Sequence, residues 1–344
     1  MVVKKDIRSF SIDQLKEILE ENSFQSFRAK QIYHWLWKKS SHDFSSMHNL
    51  PKKLLTFLEN NFVIRNIEIS KQQKSKDGTI KNAIKLFDDL IVECVLIPSK
   101  DRITACVSSQ VGCSLNCKFC ATARLKRMRN LNADEIYDQV VLIAKQSQDF
   151  YKRPLTNIVF MGMGEPLMNY KNVTNAIEMI TSNEGLGMSS KRIVLSTSGV
   201  PKMIKKMADD KVKFKLAVSL HSAINETRTS IMPFNAKMDL TELGDSLVYW
   251  YDKTKSLVTY EYVVWKGVND KEEDIDALVN FCKKIPSKVN LIQYNSIDDP
   301  NFIQAPDKTL SKYVSSLEKN NITATIRMSR GNDIDAACGQ LANK

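Results

Sequence analysis

No apolar run in this sequence is long enough to cross a bilayer, which argues against a helical membrane protein. The first residues, Met1-Val-Val-Lys-Lys-Asp, lack the apolar stretch of an export signal. Internal repeats, low-complexity tracts and long linkers are also missing, which sets aside repeat arrays and disordered chains. The seven cysteines are odd in number in a 344-residue chain, so a disulfide framework of the small secreted kind is excluded. Free thiols without an export signal lead to the expectation of a reducing cytoplasm.

What is present is ordinary for a globular protein, 43% hydrophobic and 26% charged, with length for one large domain and a smaller one. Lysine and arginine total 50 against 39 acidic residues, a net charge of +11. Such an excess suits a polyanionic partner, because basic side chains that neutralise phosphates release counterions. It serves solubility equally well.

Four of the cysteines lie in Cys106-Val-Ser-Ser-Gln-Val-Gly-Cys113-Ser-Leu-Asn-Cys117-Lys-Phe-Cys120, three of them spaced C-x3-C-x2-C. Cysteines placed by packing do not cluster this way. A loop of this spacing can wrap three thiolates around one inorganic centre. Iron–sulfur cubes are normally held by four thiolates, so three leave one iron open to something that is not protein. An open position is how a metal site does chemistry. The alternative is a zinc site of Cys113, Cys117, Cys120 and an outside histidine such as His221. With Phe119 before the last cysteine, the stretch resembles the radical S-adenosylmethionine (SAM) superfamily. The resemblance implies a 4Fe-4S cluster whose open iron binds the amino and carboxylate groups of SAM.

Residues 1–65 read as a small helical domain. Ile12, Leu15, Ile18 and Leu19 fall at helical spacing behind Ser11, a suitable N-cap. A second helix over 27–39 carries Ile32, Leu36 and Trp37 on one face and Arg28, Lys30, Lys38 and Lys39 elsewhere. Pro51 opens a third, over 52–61. The basic residues make either a solvated face or an RNA-binding one. The pattern Phe27-Arg-Ala-Lys-Gln-Ile-Tyr-His-Trp-Leu is similar to the accessory domain of one radical SAM branch, the adenosine C2 methyltransferases acting on RNA.

Residues 66–98 change to short strands, a β extension with turns at Asp77-Gly78 and Asp88-Asp89. Glu93 interrupts the apolar run Leu90-Ile-Val-Glu-Cys-Val-Leu-Ile, either as a buried carboxylate or facing solvent from an edge strand. Residues 99–344 alternate helical patterns with six strand candidates, at 158–161, 192–196, 214–220, 258–264, 288–293 and 323–328. Such alternation gives a parallel sheet with helices outside. Six units are too few for a closed eight-stranded barrel. The expected fold is α/β, a partial (β/α)6 radical SAM barrel with a helical accessory domain and a short β extension. Its site belongs at the C-terminal ends of the strands.

Polar residues gather at those ends. Gly162-Met-Gly164-Glu165-Pro166 follows the first strand candidate. Its glycines let backbone approach a ligand and Glu165 can take an ammonium group, or the segment is only a tight turn. Ser196 closes the second strand, Ser219-Leu220-His221 the third, and Asn295 follows the fifth. By residue type alone these are a helix cap, a packing histidine and a turn residue. The resemblance implies instead that Gly164, Glu165, Ser196, Ser219, Leu220, His221 and Asn295 contact SAM. It also implies that Cys113, Cys117 and Cys120 hold the cluster.

The C-terminus reads Arg327-Met-Ser-Arg330-Gly331-Asn-Asp333-Ile-Asp335-Ala-Ala-Cys338-Gly339-Gln340-Leu341. By composition this is a flexible tail with a free thiol that a bulky electrophile can reach. It is also similar to the methyl-carrying cysteine loop of the adenosine C2 methyltransferases. The resemblance runs from about residue 8 to the end. It implies Cys338 as methyl carrier, Cys106 as second catalytic cysteine and Glu93 as proton acceptor, leaving Cys94 and Cys282 for packing.

Carbon 2 of adenine is not nucleophilic, so polar methyl transfer does not reach it. The implied route uses two SAM molecules per turnover. Cys338 takes a methyl group from the first by displacement. A radical made from the second activates that methyl group, which adds to carbon 2. Cys106 then resolves the RNA–protein crosslink and leaves a disulfide to be reduced.

The implied substrates are an adenosine of 23S rRNA and, in some tRNAs, the adenosine 3′ to the anticodon, each drawn from its stack. A reducing donor such as flavodoxin or ferredoxin, a monomeric state and no membrane complete the expectation. The competing readings are the sister branch that methylates carbon 8 and confers antibiotic resistance, and a noncatalytic zinc-bound RNA-binding protein. The basic segment Ala123-Arg-Leu-Lys-Arg-Met-Arg129 either touches RNA phosphate or is a solvated loop.

Overall fold

The structure, a computed structural model, describes residues 4–343. The N-terminal unit is closed by a short parallel pairing of Lys5–Asp6 with Phe62–Val63. Between them run α1 (Ile12–Glu21), α2 (Arg28–Tyr33), a π-helical turn at His34–Lys38 and α3 (Lys52–Asn61). α1 begins where it does because the Ser11 hydroxyl accepts the Gln14 N–H while the Gln14 side chain accepts the Ser11 N–H. Leu15, Leu19, Ile32, Leu36, Trp37 and Leu54 join one apolar core.

Arg8 fastens this unit to the rest of the chain. Its buried guanidinium lies 3.1 Å from Asp6, 3.1 Å from Asp134 and 2.8 Å from Asp138. The last two project from α4 (Ala133–Tyr151). Burial alone would lower the Arg8 pKa, but Asp138, Asp134 and Asp6 together raise it. Burial also pushes the Asp134 carboxyl up to about 7, against the pull of Arg8.

Ten strands form one sheet whose spatial order follows the chain. They are β1 (Glu68–Lys74), β2 (Ile80–Lys85), β3 (Ile91–Pro98), β4 (Ile103–Cys106) and β5 (Asn157–Phe160). Then come β6 (Ile193–Thr197), β7 (Lys215–Ser219), β8 (Val258–Val263), β9 (Ser287–Ile292) and β10 (Thr323–Arg327). Neighbours from β1 to β4 are antiparallel and those from β4 to β10 parallel. The parallel part, β4 through β10, therefore has seven strands where the sequence suggested six. The additional one, Ile103–Cys106, is four residues long and follows β3 after a turn, so its pattern merges with the apolar run before it.

The strands of the β extension continue the barrel sheet through the β3–β4 pairing. Glu93 is thus in an interior strand and wholly buried, not on an edge. Helices α5 (Tyr170–Thr181), α6 (Pro201–Asp209), α7 (Asn225–Ile231), α8 (Leu240–Thr254), α9 (Glu272–Cys282) and α10 (Asp307–Lys319) alternate with the parallel strands. One cavity touches Cys106 of β4, Val159 just inside β5, Ile292 of β9 and Arg327 of β10. The sheet must curl to allow this, bringing its β10 edge opposite β4 without pairing to it. Among the described residues no helix is long and apolar enough to cross a membrane.

Candidate active site

The cysteine loop leaves the end of β4 and is pinched shut where Gln110–Val111 pairs with Arg129–Asn130. Cys113, Cys117 and Cys120 line one cleft together with Gly164, Glu165, Ser196, Ser219, His221 and Asn295, all at the C-terminal ends of the parallel strands. Leu220 does not share it. Its side chain is wholly buried in the core, its N–H donates to the Glu261 carbonyl (3.0 Å) and its own carbonyl accepts from Arg228 Nε (3.1 Å).

Glu165 is built in by its neighbours. Its carboxylate accepts from the N–H groups of Leu167 (3.0 Å) and Ser198 (2.7 Å) and from the Thr197 hydroxyl (2.7 Å). Burial raises its pKa even so. Gly164 has a φ of +92°, and a Cβ there would sit 2.4 Å from that of Gln110, so backbone alone fits.

His221 is buried and its pKa is pushed down to about 3, by burial and then by Arg228, so the ring is neutral. Its Nδ1 accepts the Val263 N–H at 3.1 Å, which places the ring proton on Nε2. A neutral imidazole in that tautomer has no free lone pair for a metal. That geometry opposes a zinc site completed by His221.

Several side chains in the cleft wall or behind it carried no signal in the sequence. Arg228 is wholly buried, donating to the carbonyls of Leu220 and Ser198 (2.6 Å) and to Asn235, and no carboxylate among the described residues pairs with it. Burial lowers its pKa to about 10, and proximity to Cys117 opposes that shift. Glu261 interrupts the apolar strand β8 much as Glu93 interrupts β3, a pattern that could have flagged it. Its Oε2 makes no hydrogen bond but lies 3.7 Å from the Arg327 guanidinium, and the Tyr294 hydroxyl is buried in the cleft wall without a hydrogen-bond partner.

A second cavity adjoins the first. Cys106 and Arg327 line it, and Met161, Ile292, Cys338 and Leu341 belong to both cavities. The exposed Cys338 thiol therefore stands between the three-cysteine cleft and Cys106. Burial pushes the Cys106 thiol up to about 12, with Cys338 adding to the rise and Arg327 opposing it.

The loop bearing Cys338 is not a loose tail. Asn295 Nδ2 donates to the Cys338 carbonyl (3.1 Å), the Ala121 N–H to that of Gly339 (2.7 Å) and the Thr122 hydroxyl to that of Leu341 (2.6 Å). From the β extension, Asp333 is bonded by the Ser75 hydroxyl (2.6 Å), and Asp77 accepts the Gly331 N–H (2.9 Å). Glu93 lines neither cavity and accepts the N–H groups of Ala342 and Asn343 instead. Cys94 and Cys282 are buried in the core. In the basic segment, Arg124 is paired with Asp299 and Arg129 with Asp88 and Glu135, while Lys126 and Arg127 remain exposed.

Residues 107–281 match the radical SAM superfamily, and residues 5–64 match the ribosomal RNA large subunit methyltransferase N-terminal domain. The chain is 62% identical to the probable dual-specificity RNA methyltransferase RlmN of Flavobacterium psychrophilum, over 100% of this chain and 99% of that one. The chain belongs to the RlmN family. It is also 40% identical to the dual-specificity RNA methyltransferase RlmN of Campylobacter hominis, over 99% of this chain and 97% of that one. A crystal structure of a radical SAM methyltransferase from Sphaerobacter thermophilus superposes with a TM-score of 0.92 at 35% identity, covering 99% of this chain and 100% of that one. The α/β radical SAM fold and an RlmN-type N-terminal domain are therefore common to the set.

Members of this superfamily use a 4Fe-4S cluster and SAM, and the residues of the cleft fit both. Burial raises the Cys117 thiol well above its usual pKa, raises Cys120 and pushes Cys113 up to about 11, so these thiols become ligands only where an electropositive centre draws off their protons. Arg228, a buried cation without a carboxylate, lies near Cys117 and suits the negative charge of a thiolate there. Among the described residues no three His, Cys, Asp or Glu side chains are gathered around a point fit for one ion. The buried Tyr294 hydroxyl, which has no hydrogen-bond partner, suits a polar ligand such as SAM in the cleft.

Proposed function

We propose that this protein is a radical SAM methyltransferase acting on carbon 2 of an adenosine in 23S rRNA, and on the adenosine 3′ to the anticodon in some tRNAs. The observation that carries the reading is the position of Cys338, shared by the three-cysteine cleft and the Cys106 cavity. When bound, the cluster and SAM supply the methyl group and the one-electron cleavage that yields a hydrogen-abstracting radical.

The chain's own residues do the rest. Cys113, Cys117 and Cys120 would hold the cluster, which would leave a coordination position open to SAM. Gly164, Glu165, Ser196, Ser219, His221 and Asn295 orient SAM, with Leu220 anchoring the strand end between Ser219 and His221 through its bonds to Glu261 and Arg228. Cys338, exposed to the cleft, accepts the methyl group as a nucleophile and then tethers the RNA through the added carbon. The odd-electron adduct gives up one electron, which returns to the redox centre, and Glu93 accepts the carbon-2 proton once the C-terminal backbone releases its carboxylate. The Cys106 thiolate attacks the Cys338 sulfur, the sulfur–carbon bond breaks with its electron pair going to the base, the freed carbon takes up a proton to become the methyl group, and a Cys106–Cys338 disulfide remains for reduction.

A flavodoxin- or ferredoxin-type donor supplies the electrons, and the chain works as a monomer in the cytoplasm. The test is nucleoside mass spectrometry of rRNA lacking the modification, treated anaerobically with cluster-reconstituted protein, SAM and reductant. 2-Methyladenosine is the expected product. 8-Methyladenosine would move the protein to the sister branch, and no methylated adenosine despite SAM cleavage would reject the RNA substrate.

A further inference from the structure

The two cavities that meet at Cys338 differ in charge. The cleft with the three cysteines carries two carboxylates, Glu165 and Glu261, whereas the second cavity carries three arginines, Arg102, Arg327 and Arg330, and no carboxylate among its lining residues. The first suits the cationic groups of SAM; the second suits an anion.

Arg327 is already engaged, 3.7 Å from Glu261. Arg102 and Arg330 are exposed, and neither guanidinium makes a hydrogen bond or ion pair among the described residues. Beside them Met328, 67% exposed, offers an apolar contact for a flat ligand at the mouth. The inner walls are apolar, with Ile97, Pro98 and Val159, and end at Cys106 and Cys338. The space is about 280 Å³, close to the lower end of the roughly 300–1,000 Å³ range of small-molecule sites and suited to a single extruded base.

We propose that this cavity, opening through the unpaired seam between β4 and β10, receives the nucleotide to be methylated, and that Arg102 and Arg330 at its mouth bind the phosphates flanking it. The proposal rests on the RNA methyltransferase reading above and specifies where RNA enters. An extruded base passing Met328 reaches Cys338 from the side opposite the three-cysteine cleft, with Cys106 already at hand to resolve the tether. The guanidinium fork is the natural partner of phosphate, and its position at the rim leaves the base free to go deeper.

The experiment is fluorescence anisotropy of the full chain with a labelled RNA stem-loop displaying one unpaired adenosine, over a range of salt. Arg102→Ala and Arg330→Ala should each weaken binding roughly tenfold and reduce the slope of log Kd against log salt by about one. Arg102→Lys should keep the slope, because the charge is retained. Lys205→Ala, on the outer helix α6, should bind as the unaltered protein does. If both alanine variants keep full affinity and slope, the site is overturned while the RNA reading stands. If the unaltered protein does not bind the stem-loop, both are overturned.

Discussion

Lys81 and Glu93 form an ion pair inside the β extension, Nζ to Oε1 3.2 Å, with 2% and 0% of their side chains exposed. The other Glu93 oxygen accepts the N–H groups of Ala342 (2.9 Å) and Asn343 (3.1 Å), while Lys81 reaches the Asp335 carbonyl (3.4 Å). One buried pair therefore grips the Cys338 loop on both sides of the cysteine.

Removing one partner of such a pair strands the other. Lys81→Met should destabilise the protein by about 3–5 kcal/mol, read as a lower thermal midpoint. Adding Glu93→Gln to it should recover much of the loss. A double variant as unstable as the single one would show that the two side chains act independently.

The Arg8 network carries a pH dependence. Asp134 has a folded pKa pushed up to about 7, above the ordinary 3.8, chiefly by burial. Folding therefore favours its protonated form. That contribution is complete below the ordinary carboxylate pKa and is lost as pH rises through about 7. Asp134→Asn should flatten the fall in thermal midpoint between mildly acidic and mildly alkaline buffer. An unchanged slope would assign it to other groups.

Arg228 is a buried positive charge beside Cys117 with only neutral partners. In cluster-loaded protein, Arg228→Met should make reduction harder and shift the potential to more negative values. A redox titration followed by electron paramagnetic resonance reads this directly. A variant that loads iron normally and keeps the same potential would contradict the electrostatic role.

Much of the site was legible because its residues are close in sequence or sit at recognisable strand ends. Cys113, Cys117 and Cys120 share one loop, and Gly164-Glu165 follows a strand of clear apolar pattern. The supporting residues were not. Thr197 looks like any strand-end threonine until it meets Glu165, 32 positions away. Arg228 sits in a polar helix, and its burial follows only from how β6 and β7 end around it. Lys81 reads as a solvent-facing strand residue because nothing local announces the carboxylate it pairs with.

The fold shows the same division. Helices over 12–21 and 52–61 follow from periodicity and capping. β4 is too short to stand out, and the joining of the extension to the barrel depends on a pairing that local pattern does not specify. The ordering of the C-terminal loop likewise comes from hydrogen bonds spanning more than two hundred residues, such as Thr122 to Leu341.

The most direct test of the account places Cys106 and Cys338 in separate roles. Cluster-loaded Cys106→Ala and Cys338→Ala variants are incubated anaerobically with SAM, reductant and substrate RNA, then resolved on a denaturing gel. Cys106→Ala should accumulate a covalent RNA–protein adduct, because the tether forms and is not resolved. Cys338→Ala should form none. Equal adduct in both variants, or adduct only without Cys338, would contradict the assignment of Cys338 as carrier and Cys106 as the residue that releases it.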